Sequence, residues 1–291
     1  MSTDAIEVSP TAAQRALFEG LFDYAGLFPP AKLPMHEVAQ NFCCYALGPY
    51  AWMLKRLVVP AARLQELADA AAQFDGWDSS AVELSLVVAD WSAECEAVET
   101  FAKQNVARVA AIETKAWQPK LLESGAEVYV ELPDALGIAD LDKADSVFAK
   151  IRTGGLVAEA FPSEEAVVEF LEACVINKCA CKATAGLHHP LPADRPSCDA
   201  TDAPIVPMHG FVVVVLAATL LKQGGAAETA VELLQETEAA AIVLGERAVA
   251  WREHRFEAGQ IAKVRKSLFH SIGSCSFDEP IEDLLELGWL G

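Results

Sequence analysis

Lys150-Ile-Arg-Thr-Gly-Gly155 and Lys182-Ala-Thr-Ala-Gly-Leu187 are near-copies of one pattern set 32 residues apart: a lysine, a strand-like step, a threonine and a glycine. Each copy follows a helical stretch and runs into polar, glycine-bearing sequence. The functional rim of a parallel βα-barrel has this appearance along the chain, because its strands end in loops that carry polar side chains. Residues two apart in a strand face the same side. Lys150, Arg152 and Gly154 therefore share one face, and Lys182, Thr184, Gly186 and His188 share another.

Working outward from the two copies, strand-like and helix-like segments alternate almost to the end of the chain. Strands are expected at Gly20–Phe28, Ala51–Val59, Val82–Ala89, Ala107–Thr114, Glu127–Leu132, Val147–Thr153, Cys179–Thr184 and Phe269–Ser274. Helices are expected at Pro34–Ala46, Ala61–Phe74, Ser92–Asn105, Ala116–Ser124, Ile138–Asp145, Ser163–Asn177, Gly210–Lys222 and Glu279–Leu287. The strands read as continuous apolar runs, which suits a parallel sheet covered by helices. Eight of them, each followed by a helix, predict an α/β fold, a single-domain (β/α)8 TIM-type barrel over residues 11–291 behind a flexible N-terminus at residues 1–10.

Two insertions are expected. Pro190–Pro207 is loop-like, with five prolines and three aspartates, and follows the seventh strand as a lid over the active face. Residues 241–251 read either as a β-hairpin before the eighth strand or as part of one long helix from Ala226 to Lys266. The apolar run Gly210–Leu221 is shorter than the roughly 20 residues that span a bilayer and is expected to be a buried helix.

Composition narrows the class of function. The chain has 291 residues, 53% of them hydrophobic, so it can bury a large core. Its formal net charge of −20 and the lack of lysine or arginine runs argue against nucleic acid and anionic membranes as partners. The eight cysteines form no Cys-x-x-Cys pair, and no signal peptide is recognised. The expectation is a reduced cytoplasmic protein whose partner is a small anionic substrate, with homo-oligomer formation open.

If the shared faces point into a barrel, two ammonium groups and the Arg152 guanidinium come together. Like charges in a poorly solvated place favour a neutral amine able to attack a carbonyl. The alternative is that both lysines pair with acids at the rim. Arg152, beside the backbone of Thr153, Gly154 and Gly155, could hold a phosphate or carboxylate, and Ile272–Ser276 with Ser274 at its centre could do the same at the end of the eighth strand. Thr184 and Asp23 complete the candidate substrate-binding set. His188 shares the parity of Lys182 and is a candidate general acid or base. Cys275 is either a nucleophile near a helix start or an inert buried thiol.

The two lysine motifs resemble the paired sixth- and seventh-strand motifs of the deoxyribose-phosphate aldolase family, class I aldolases on a (β/α)8 barrel. The resemblance implies that Lys150 forms a Schiff base, that Lys182 activates it, and that Glu113, near the end of the fourth strand, assists proton transfer. Arg152 stands where that family has a small residue, and Glu113 where it has an aspartate. The chain as a whole resembles an uncharacterised bacterial family that shares Asp23–Pro30, Arg152–Gly155, Lys182–Pro190 and Gly273–Pro280.

The expected function is that of a lyase, aldolase-like and without a cofactor, acting on a small anionic carbonyl or hydroxy compound such as a sugar or sugar-acid derivative. Two alternatives stay open. One is a metal-dependent barrel lyase, isomerase or hydrolase, with a divalent ion at His188 or His189 aided by His209, Asp23, Glu113, Glu131 or Asp278. The other is a non-catalytic anion-binding barrel.

Overall fold

A short helix, α1 (Ala12–Phe18), leads into the first strand, β1 (Phe22–Tyr24), and seven further parallel strands close a barrel upon it. The computed structural model describes residues 9–74, 76–198, 201 and 203–290; the expected flexible segment at 1–10 therefore lies mostly outside the described residues. In chain order the next elements are α2 (Met35–Leu47), β2 (Leu54–Pro60), α3 (Leu64–Ala71), β3 (Glu83–Val88), α4 (Trp91–Lys103), β4 (Arg108–Thr114), β5 (Glu127–Glu131) and β6 (Val147–Arg152). Then come α5 (Glu164–Asn177), β7 (Cys181–Thr184), a ribbon of β8 (Ala193–Pro196) and β9 (Ile205–Met208), α6 (Phe211–Lys222) and α7 (Ala227–Leu234). The chain ends with β10 (Ile242–Leu244), β11 (Ala248–Trp251), β12 (His254–Glu257), α8 (Ala258–Ser267), β13 (Phe269–Ser274) and α9 (Asp278–Glu286). Strands β1 to β7 and β13 form the closed barrel; β1 pairs in parallel with both β2 and β13. The (β/α)8 architecture is as expected.

The apparently continuous apolar runs are in fact alternations. On β3, Leu84, Leu86 and Val88 join the core beneath the helices, while Ser85 points inward; on β4, Ile112 joins that core and Glu113 points inward. Lys182 on β7 reaches Glu113 on the non-adjacent β4, so these side chains meet across the barrel interior. TIM-barrel interiors are usually filled by branched apolar side chains. Here much of the filling is charged.

Two expected helices are absent. Between β4 and β5 the chain forms only a 3-10 segment, Pro119–Ser124, and between β5 and β6 only Leu136–Ile138. Aspartates account for the second case: Asp134 accepts from the Leu136 N–H and Asp142 from the Ala144 N–H, both at 2.9 Å, turn bonds that compete with a helix. Over 116–124, a proline start and a left-handed Gly125 leave room for only two 3-10 turns. The first strand is shorter than expected because the chain turns after it, the Phe28 N–H donating to Ala25 O.

Both insertions hold strands. In the stretch after β7, β8 and β9 pair antiparallel from Ala193↔Met208 to Pro196↔Ile205. A two-stranded ribbon has only edges, where prolines are tolerated, so the absence of periodicity hid it. Val206 and Met208 pack on Phe161 and fasten this strap over the barrel mouth. At 241–251 the hairpin reading holds, with Ile242 opposite Trp251, and β12 adds a third strand; the long-helix alternative breaks into α7 and α8. Helix α6 is buried on every side from Phe211 to Leu221. Among the described residues no helix is long and apolar enough to cross a membrane.

Candidate active site

Parallel register sets Glu131 of β5, Lys150 of β6 and Lys182 of β7 side by side. Lys150 Nζ lies 2.8 Å from Glu113 Oε2 and 2.9 Å from Glu131 Oε2. Lys182 Nζ lies 2.7 Å from Glu113 Oε1 and 2.5 Å from Asp23 Oδ2. Glu113 thus bridges the two lysines, and the chain of charges runs Asp23–Lys182–Glu113–Lys150–Glu131. Ser85 Oγ donates to Glu113 and Ser271 Oγ to Asp23, each at 2.7 Å. The Tyr129 ring centre is 5.4 Å from Lys182 Nζ, close enough for a cation–π contact.

Burial and pairing act against each other in this network. Burial disfavours the Glu113 carboxylate, but the two lysines overcome it and hold its pKa well below the carboxylate range. Burial likewise disfavours the Lys182 ammonium, and Asp23 and Glu113 more than offset it, raising that pKa. Glu131 is lowered too: burial opposes ionisation, and Lys150, Lys115 and Arg152 outweigh it. The sequence expectation of bare positive charges around Lys150 is corrected in this respect, since carboxylates stand between and beside the two lysines.

Above the network lies a cavity of about 190 Å³ at the barrel mouth. Lys150, Glu113, Glu131, Arg152, Thr184 and His188 line it, with Phe28, Leu156, Phe161 and Met208 as apolar wall. Lys182, wholly buried, lies beneath, as does Asp23. Thr184 Oγ1 and Asp23 Oδ1 are buried without a hydrogen-bond partner among the described residues. Of the other expected binding residues, Thr153 donates to Ala185 O at 2.6 Å, and Gly154 packs against Gly186, where an added Cβ would come within 2.8 Å of the Gly186 Cα. These two residues clamp the β6 and β7 loops together and do not line the cavity.

Ser274 Oγ lies 3.2 Å from His188 Nδ1. His188 also faces Glu279 Oε2 at 3.2 Å and Cys275 Sγ at 4.0 Å. Burial disfavours its imidazolium, but the hydrogen bonds to Cys275 and Glu279 prevail and push its pKa up to about 10. His189 turns away to Asp283 Oδ2 at 2.6 Å, His209 bonds Pro162 O at 2.8 Å, and Asp278 accepts from the Tyr45 hydroxyl at 2.6 Å. His188 and His189 both reach Glu279, while His209 stands apart. Among the described residues no three His, Cys, Asp or Glu side chains are grouped to hold a metal ion.

Ser85, Ser271 and Tyr129 escaped the sequence reading, as did the pairing of Glu131 with Lys150. A usable signal existed for Ser85, a lone hydroxyl in the apolar run Leu84–Val88. No family model, curated protein or solved structure matches this chain.

Proposed function

We propose that the chain is a lyase that engages a small anionic carbonyl or hydroxy compound, such as a sugar or sugar-acid derivative, through a Schiff base at Lys150. The observation that carries this reading is the unequal placement of the two lysines. Lys150 Nζ lies at the cavity wall between two carboxylates, whereas Lys182 is sealed beneath it and shares Glu113 with it. One amine is placed to meet a carbonyl and the other is placed to set the charge of the carboxylate between them.

In the proposed reaction an ammonium must first lose a proton, and Glu113 and Glu131 are ionised acceptors within 2.9 Å. The free amine of Lys150 adds to the carbonyl carbon and the carbonyl oxygen takes up the transferred proton. A second proton, released from the now cationic nitrogen, converts that hydroxyl into departing water and leaves an iminium. Because the iminium carries the charge the ammonium carried, the same two carboxylates stabilise both without rearrangement. The iminium then draws the electron pair of a breaking carbon–carbon bond; this last step leans on the aldolase resemblance of the two lysine motifs.

Substrate charge and size follow from the mouth. Arg152 and Lys115 are exposed cations on the cavity rim, suited to a carboxylate or phosphate, and the small volume suits a short carbon chain. Reductive trapping of a small keto acid, with the adduct mapped by mass spectrometry, tests the reading. A borohydride-stable adduct at Lys150 supports it; an unmodified Lys150 removes it.

A further inference from the structure

We propose that Cys275, His188 and Glu279 form a second reactive centre in the wall of the same cavity, an activated thiol that adds to small aldehydes. A thiol attacks carbon as its thiolate, so it needs a base within reach, and that base needs a group to orient it. Cys275 Sγ lies 4.0 Å from His188 Nε2, a separation of the loose kind found in sites without substrate, and Glu279 Oε2 lies 3.2 Å from His188 Nδ1. Ser274 Oγ supports the same imidazole nitrogen at 3.2 Å. The order is nucleophile, base and orienting carboxylate.

Position separates this thiol from the others. Among the described residues, Cys275 is the one cysteine that lines the cavity; Cys174, Cys179 and Cys181 are buried, Cys43, Cys44 and Cys95 lie on α2 and α4, and the half-buried Cys198 follows the lining residue Ser197 without lining the cavity itself. Cys275 also lies three residues before Asp278, the first residue of α9, whose N-terminus favours negative charge nearby. The raised pKa of His188 favours its taking the Cys275 proton, and the imidazolium so formed can both hold the thiolate and donate to an oxygen.

The step is balanced without an oxidant or a leaving group. The thiolate sulfur bonds to the aldehyde carbon, the carbonyl π pair moves to oxygen, and the proton on His188 Nε2 passes to that oxygen, giving a neutral thiohemiacetal and a neutral imidazole. The activated thiol stands independently of the lysine chemistry. The choice of an aldehyde rests on the carbonyl reading above, because Cys275 and Lys150 open onto one space.

Alkylation of the full chain by iodoacetamide at pH 7, followed cysteine by cysteine by mass spectrometry, tests the proposal. Cys275 is expected to react at least tenfold faster than the exposed Cys44. His188→Gln should abolish that advantage, and Glu279→Gln, a change at a half-exposed residue that spares the fold, should reduce it several-fold. Glycolaldehyde should protect Cys275 in the wild type and equally in Lys150→Met, with the protection reversed by dialysis. A Cys275 no faster than Cys44, or a rate unmoved by Glu279→Gln, overturns the activated thiol. Protection that disappears in Lys150→Met assigns the aldehyde to the lysine and overturns the aldehyde assignment. Protection of Cys275 with no borohydride-stable label at Lys150 sustains the thiol centre while removing the Schiff-base reading.

Discussion

Glu113 accepts from Lys150 with one oxygen and from Lys182 and Ser85 with the other, so its carboxylate is fully engaged on both sides. Such a buried network adds little net stability over an apolar filling, because desolvation offsets most of the attraction, yet deleting one member strands its partners. Lys182→Met should therefore lower stability by about 3–5 kcal/mol, measured by denaturant unfolding, since it leaves the buried Asp23 without its ion-pair partner and Glu113 with Lys150 alone. It should also slow the chemistry at Lys150, as Glu113 then bears its full charge on that one lysine. A variant as stable as the wild type would mean that the ions are not buried as described. The lysines were legible in the sequence because strand parity and motif spacing act locally, whereas Glu113 came from the aldolase resemblance. Glu131 as a partner of Lys150 was not, since it depends on the β5–β6 register.

At the scale of elements, the glycines of the two motifs are explained by backbone approach. Gly186 has φ of +72°, and a Cβ there would sit 2.9 Å from Thr153 O and 3.0 Å from Gly154 Cα. Ala185 beside it also has a positive φ, of 67°, so the β7 turn already holds one residue in an unfavoured conformation at the cavity edge. Gly186→Ala should cost about 2 kcal/mol in thermal or denaturant unfolding and loosen the β6–β7 clamp, while Gly125→Ala, where nothing lies within 4 Å, should cost only its backbone strain. Equal losses at the two positions would contradict close packing as the cause. The eight strands were legible because apolar character recurs at regular spacing. The β8–β9 strap and the two helix-poor connections were not, because prolines and aspartate turn bonds obey no period.

Across the whole molecule, the buried His188 and the half-buried His270 work in opposite directions. Burial, aided by the Lys55 charge, pushes His270 down to about 4, so between that value and the ordinary 6.5 the unfolded chain binds a proton that the folded chain refuses. Its contribution is complete above about pH 6.5 and declines by about 3 kcal/mol as pH falls to 4. His188 is raised, so its contribution is complete below about pH 6.5 and is lost as pH rises through about 10. Unfolding curves recorded against pH should show the acid slope flattened in His270→Gln and the alkaline slope flattened in His188→Gln; unchanged slopes would show that neither group is held as described. The central claim, that Lys150 alone of the two lysines joined by Glu113 meets the substrate, is tested most directly by treating wild type, Lys150→Met and Lys182→Met with pyruvate and borohydride and mapping the adduct by mass spectrometry. The account predicts a single labelled residue, Lys150, in the wild type, no specific label in Lys150→Met, and a slower label still at Lys150 in Lys182→Met. Labelling of Lys182, or labelling spread over surface lysines without preference, would contradict it.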